Sequence, residues 1–204
     1  MVGHIRSRVW VGLLAILALF GGAGRSEASP IVFNAANGHY YMLSTGSQNW
    51  TQAQAEALAV GGYLVSITSL AEQTFLETTF LTGANDRSIY WTGATDQASE
   101  GTFVWVNGDP FTYSNWAPGE PNNCACVPGG EDFGTINWHY GLFQSLVKGT
   151  WNDTSLTGNE FAPGRVTQGI IEFDTNPLAT PEPASLFMLG AGLLIIHRRL
   201  RRRR

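Results

Sequence analysis

The sequence predicts an α+β domain, because helical spacing of apolar residues is confined to the first half of the chain and short strand-like pieces occupy the second. Long polar loops separate those later pieces, and loops of that length inside a domain are usually functional. Apolar runs flanked by arginines stand at both ends of the chain, outside the predicted domain.

At the N-terminus, Arg6 and Arg8 precede an apolar run from Val9 to Phe20 and small residues ending at Ala28. This order is the pattern of a secretory signal, expected to span 1–28 and to be removed. The run falls short of the roughly 20 residues that a membrane-crossing helix needs.

Asn37 and Gly38 mark a turn, and the aromatic run Tyr40-Tyr41-Met42-Leu43 after it reads as a strand. Ser47 or Asn49 then caps a first helix that places Trp50, Ala53 and Ala57 on one face and ends at Gly61-Gly62. A short apolar strand runs from Tyr63 to Ile67. Ser69 and Glu72 form a capping-box pattern for a second helix, which carries Leu76 and Phe80 on one side. Tyr90-Trp91-Thr92, Phe103 to Val106 and Gly169 to Phe173 complete the predicted strands.

Residues 29–183 hold Arg87, Lys148 and Arg165 against fifteen acids, a net charge of −12. That excess argues against a nucleic-acid partner, whose phosphates require a basic surface, and suits a cation. Cys124 and Cys126, the only cysteines, are too close in sequence to staple distant segments. They read as a local loop clip in an oxidising compartment, with soft-metal ligation as the alternative. The two histidines of the domain, His39 and His139, have no serine or cysteine in a catalytic setting, so the chain is read as a binding protein rather than an enzyme.

Oxygen donors crowd two stretches, Glu120-Pro121-Asn122-Asn123 through Glu131-Asp132, and Trp151-Asn152-Asp153. A hard cation such as Ca²⁺ takes roughly six to eight oxygens from carboxylates, amide carbonyls and water, and Glu120, Asn122, Glu131, Asn152 and Asp153 supply that chemistry. A cis bond before Pro121 would turn Glu120 and Asn122 toward one point. Taken singly, each motif also reads as an ordinary turn or loop.

In order along the chain, these residues resemble the C-type lectin domain over roughly 38–173. The resemblance rests on the Tyr-rich first strand, the Trp50 helix ending in Gly61-Gly62, Trp91-Thr92-Gly93, Glu120-Pro121-Asn122, Trp151-Asn152-Asp153 and Ile171-Glu172. It implies a C-type lectin-like fold of two helices with short antiparallel sheets and a long calcium-binding loop region. It also implies that Glu120, Asn122, Glu131, Asn152 and Asp153 form the family's principal calcium site. There, two adjacent sugar hydroxyls complete the coordination and hydrogen-bond the same five side chains. In this family Glu-Pro-Asn goes with mannose-, glucose- or N-acetylglucosamine-type equatorial hydroxyl pairs.

An auxiliary calcium site is expected from Asp96, Glu100, Asn123 and Asp132, with Glu131 shared. Asn123 stands where the family has an aspartate, a lost charge that weakens this second ion. The family's two disulfides are missing: Ala57 and Ile171 occupy one pair of positions, Phe133 and Leu156 the other, all apolar and able to meet in the core. The loop from Asn137 to Thr150 adds Trp138, His139, Tyr140 and Phe143 beside the sugar site, some for stacking on a sugar face and at least two for packing. No role is assigned to His139.

Pro181-Glu182-Pro183, an apolar stretch from Ala184 to Ile196, and arginines at 198, 199 and 201–204 close the chain. This tripartite tail resembles the PEP-CTERM sorting signal, which implies recognition by an exosortase. The expected organisation is a signal peptide at 1–28, the lectin-like domain at 29–175, a linker at 176–183 and the sorting tail at 184–204. The chain is expected to be exported to the cell surface or extracellular matrix, with membrane association through the tail before processing. Calcium-dependent binding of a carbohydrate or exopolysaccharide is the leading function. A calcium-ordered protein-interaction or structural matrix module without a sugar ligand is the alternative.

Overall fold

A computed structural model describes residues 29–46, 49–143, 147–158 and 164–179. The expected signal peptide and the apolar-arginine tail lie outside them. No helix among the described residues is long and apolar enough to cross a membrane.

Strands β1 (Val32–Phe33) and β2 (Tyr40–Leu43) lead to helix α1 (Trp50–Ala59). Asn49 is the cap: its side chain accepts the Gln52 N–H while Gln52 returns a bond to the Asn49 backbone. Gly61 takes φ +83°, which ends the helix, and a Cβ on Gly62 would lie 2.4 Å from the Glu172 carbonyl oxygen. Trp50, Ala53 and Ala57 form the buried face, as their spacing predicts.

Strand β3 (Tyr63–Leu64) is shorter than expected, and Val65 and Ile67 follow it as buried residues outside the strand. Helix α2 (Leu70–Phe80) is capped by the Ser69 hydroxyl, which accepts the Glu72 N–H. The reciprocal half of the expected capping box is absent. The Glu72 carboxylate instead turns inward and is only 2% exposed, accepting from the Thr68 N–H at 2.8 Å and the Tyr41 hydroxyl at 2.6 Å.

Strands β4 (Ile89–Thr95), β5 (Val104–Trp105), β6 (Phe133–Ile136), β7 (Trp151–Thr154) and β8 (Val166–Phe173) complete the sheet. Its order is β1-β2-β8-β4-β6-β7, with β3 on β8 and β5 on β4. The antiparallel sheets expected from sequence include one parallel pair, β4 with β8. Strand β8 is long enough to join two regions: Gln168 and Gly169 lie along β4, while Ile170 to Phe173 pair with β2.

Two helices were expected, and a third, α3 (Trp138–Phe143), forms within the segment read as loop. Buried Trp138 anchors it, and Asn137 stitches its start by donating to the carbonyls of Asp86 and Ser88 and accepting the Gly149 N–H. Six residues are too few for the apolar periodicity that reveals a helix in sequence.

The missing disulfides are replaced unequally. Ala57 and Ile171 are both fully buried in one apolar cluster. Phe133 is buried against Trp50, with ring centroids 4.6 Å apart, but Leu156 is 39% exposed and does not join the core. An unpaired turn position tolerates this because no covalent link draws it inward.

Candidate functional site

Trp151 fixes the position of the site. Its indole lies edge-on to Trp105, Phe111, Tyr113 and Trp116, and its Nε1–H donates to Gln73 Oε1 at 2.9 Å. Its backbone pins the preceding loop: the Trp151 N–H donates to the Asn115 carbonyl at 2.8 Å, and the Ala117 N–H donates to the Trp151 carbonyl at 2.9 Å. With the loop held at Ala117, the following turn places Glu120 beside the two residues after Trp151.

Asn152 and Asp153 are set by pairing of β7 with β6, opposite Thr135 and Gly134. The Asp153 carboxylate accepts the backbone N–H of Asn122, at 3.2 and 3.1 Å to its two oxygens, and that of Asn123 at 2.8 Å. The carboxyl of Glu120 lies beside it. The Glu120–Pro121 peptide is cis. Glu131, 4% exposed, accepts the Cys124 N–H at 2.8 Å, and its own N–H donates to Asn123 Oδ1 at 2.9 Å. Cys124 and Cys126 are disulfide-bonded, the local clip expected of them.

Glu120, Asn122, Glu131 and Asn152 line one concavity of about 290 Å³, whose wall also includes Cys124, Trp138, His139 and Phe143. Asp153 joins it through its contact with Glu120. A larger depression of about 450 Å³ beside Thr51 and Phe133 contains only Asp132 of the predicted ligands. The chemistry is therefore in the smaller one.

Burial, then the nearby charge of Asp153, push the Glu120 carboxyl up to about 7. Its side chain is 6% exposed, and Oε2 is buried with no hydrogen-bond partner. An orphaned carboxylate oxygen beside a second carboxylate is a donor arrangement whose chemistry fits a cation.

His139, to which the sequence reading assigns no role, stands in this cluster. Its Nε2 lies 3.0 Å from Glu120 Oε1 and 3.0 Å from Asn152 Oδ1. Burial holds its pKa below the ordinary value, against the opposing hydrogen bond with Asn152. Of the neighbouring aromatics, Trp138 is buried, Phe143 is 61% exposed at the rim, and Tyr140 turns away to donate to Asp86 Oδ2 at 3.2 Å.

The residues expected for a second ion also gather. Asp96 Oδ2 accepts the Gly101 N–H at 2.8 Å, while Oδ1 is buried without a partner. Partial desolvation and then the charge of Asp96 raise the carboxyls of both Glu100 and Asp132. Asn123 adjoins this group across Gly130, although its Oδ1 is occupied by the Glu131 N–H.

A further cluster was not anticipated. His39, Glu72 and Glu172, none of which lines the concavity of Glu120, bring ligand-type atoms within 4.8 Å of one another. Glu172 accepts from the Ser66 N–H at 2.9 Å and meets His39 Nδ1 at 2.6 Å, and the Tyr41 hydroxyl bridges Glu72 and Glu172. Nothing in the local sequence reveals it, because its members come from the residue before β2, from α2 and from β8.

The profile described as the Lectin C-type domain matches residues 46–155. The chain belongs to the C-type lectin domain family. A PEP-CTERM protein-sorting motif matches residues 179–204 of this C-type lectin domain protein. A perlucin-like protein of Mytilus galloprovincialis is 33% identical over 114 residues, which are 55% of this chain and 66% of that protein. Ladderlectin of Oncorhynchus mykiss is 31% identical over 136 residues, 67% of this chain and 65% of that protein. The lectin chain thus spans just under two thirds of these relatives. Among solved structures, the cow C-type carbohydrate-recognition domain of CD23, determined in the presence of GlcNAc2Man3 oligosaccharide, superposes with a TM-score of 0.51 at 29% identity. It covers 70% of this chain and 90% of that one.

Proposed function

We propose that the protein is an exported, calcium-dependent carbohydrate-binding module for mannose-, glucose- or N-acetylglucosamine-type sugars with adjacent equatorial hydroxyls. The observation that carries this reading is the convergence of Glu120 and Asp153 on one point, with Asn152 beside them and Glu120 Oε2 left without a partner.

The donor set fits calcium. Glu120, Glu131 and Asp153 supply carboxylates, Asn122 and Asn152 supply amide oxygens, and hard oxygen ligands of this kind are what Ca²⁺ selects. When bound, the ion would supply a positive centre to which two neighbouring sugar hydroxyls can add. The chain's own residues complete the recognition: Glu120 and Asp153 accept from hydroxyl hydrogens, while Asn122 and Asn152 donate through their NH₂ groups. Asp96, Glu100, Asn123 and Asp132 are assigned to an auxiliary calcium that steadies the same loops.

The affinity for a single sugar is expected to be about millimolar, near −4 kcal/mol, because two hydroxyls make a small contact. Useful retention then depends on polymeric ligand or many copies of the protein. A matrix polysaccharide suits that requirement. The PEP-CTERM motif supports export, exosortase recognition and delivery to the surface or matrix.

Retention of the purified chain on mannan-agarose tests the reading. Retention in calcium, elution by a chelator and competition by mannose but not galactose are expected. Failure to bind any member of a glycan panel, with calcium bound normally, would instead favour a calcium-ordered interaction module.

A further inference from the structure

An imidazole nitrogen is out of place in a pure calcium site. Hard oxygen ligands suffice for Ca²⁺, whereas imidazole is a preferred ligand of zinc and its neighbours in the first transition row. Yet His139 reaches from α3, the helix in the segment before Trp151, and sets Nε2 3.0 Å from each of two oxygens assigned to the calcium site.

The local hydrogen bonds define how that nitrogen is presented. The Asn152 NH₂ group is turned to the Asp153 carbonyl, so Asn152 directs Oδ1 at the ring. Nε2–H therefore donates toward Glu120 and Asn152, and its lone pair becomes available when the hydrogen moves to Nδ1. Glu120 supplies a second feature of a metal centre, since its Oε2 is buried beside this group without a partner.

The spacing also fits a small ion. Ligands held about 2.0–2.1 Å from zinc at the tetrahedral angle stand about 3.3 Å apart. Nε2 of His139 is within a few tenths of that separation from both Glu120 Oε1 and Asn152 Oδ1.

We propose that His139 is a nitrogen ligand of this site and that the site accepts zinc-like divalent ions in competition with calcium, with Glu120 and Asn152 as shared ligands. This rests on the reading of Glu120 and Asn152 as metal ligands, and it adds a metal selectivity set by one side chain. Zinc in the surroundings then governs how much of the protein is in its sugar-binding calcium form.

Calorimetric titration of the untagged, purified full chain with Zn²⁺ and with Ca²⁺ gives the zinc-to-calcium affinity ratio. That ratio is expected to fall at least tenfold in His139→Ala and in His139→Gln, the latter keeping a polar side chain of similar reach. It is expected to stay within about twofold of wild type in His39→Ala. In the wild-type chain, long-range ¹⁵N–¹H spectra should show Nε2 of His139 leaving the free-imidazole range on addition of Zn²⁺. This readout needs no variant to fold.

An unchanged ratio in both His139 variants, or an Nε2 resonance that zinc does not move, overturns the proposal. Zinc binding lost only in His39→Ala does so as well, because it places the ion in the His39, Glu72 and Glu172 cluster. Glu120→Gln separates the two levels of inference. If it weakens calcium while the His139 variants leave the ratio unchanged, the calcium site stands and the nitrogen ligand falls. If it alters neither ion, the site itself is wrong.

Discussion

The carboxyl groups of Glu120 and Asp153 lie side by side, although they arise from a loop and a strand that only the fold brings together. The contact depends on Trp151, whose backbone holds the loop at Asn115 and Ala117 and whose indole is packed among four other aromatic rings.

Trp151→Phe should therefore affect stability more through a lost hydrogen bond than through lost packing. Gln73 Oε1 would lose the indole N–H inside the core, a deficit of about 1–3 kcal/mol. Urea denaturation followed by circular dichroism measures this. A change below a few tenths of a kcal/mol would show that the Gln73 contact contributes nothing.

Gly62→Ala is expected to destabilise the domain and loosen the packing of α1 on β8. Its Cβ would lie 2.4 Å from the Glu172 carbonyl oxygen and 2.9 Å from the Phe173 ring, so backbone has to move. A loss of about 1–3 kcal/mol is the scale of such overpacking. Thermal unfolding tests it, and an unchanged midpoint would refute the close approach.

Stability of the calcium-free chain should fall as pH rises from about 5 to 8. Burial, then the charge of Glu72, push Glu172 up to about 7. His39 is pulled down by its own burial but raised overall by the hydrogen bond and charge of Glu172. Ordinary values are about 4.3 for Glu and about 6.5 for His, so both groups hold protons more tightly folded than unfolded. The Glu172 contribution is complete below about pH 4.3 and lost as pH rises through about 7. That of His39 is complete below about 6.5 and lost through its raised folded value. Denaturant unfolding in chelator at pH 5.5, 7 and 8.5 should show the decline, reduced in Glu172→Gln. A rise across that interval would contradict the assignment.

Asn123→Asp should tighten the auxiliary ion by around tenfold, because ligand charge tunes calcium affinity and the new carboxylate still offers an oxygen to the Glu131 N–H. Calcium titration should resolve a strengthened second event. No change would remove Asn123 from that site.

Much of the positional frame was legible because local chemistry encodes it. Trp50, Ala53 and Ala57 repeat at helical spacing, Asn49 is a capping residue, and Gly61-Gly62 ends the helix, each a short-range signal. Ordered motifs likewise single out Glu120 and Asp153, which the fold places side by side. The same reading missed α3, which is held by burial of Trp138 and by long-range bonds from Asn137 rather than by its own pattern. It missed His139 for that reason, since the position of a ring carried by α3 depends on those bonds. Glu72 misled it, because a capping-box spacing cannot reveal that Tyr41 and Thr68 draw the carboxylate inward.

Calcium calorimetry comparing the wild-type chain with Glu120→Gln tests the central claim most directly. The substitution keeps the side chain's size while removing the carboxylate that contacts Asp153. A principal calcium-binding event weakened at least tenfold, about 1.4 kcal/mol, is expected in the variant. Equal calcium affinity in the two proteins would contradict a shared ion between Glu120 and Asp153.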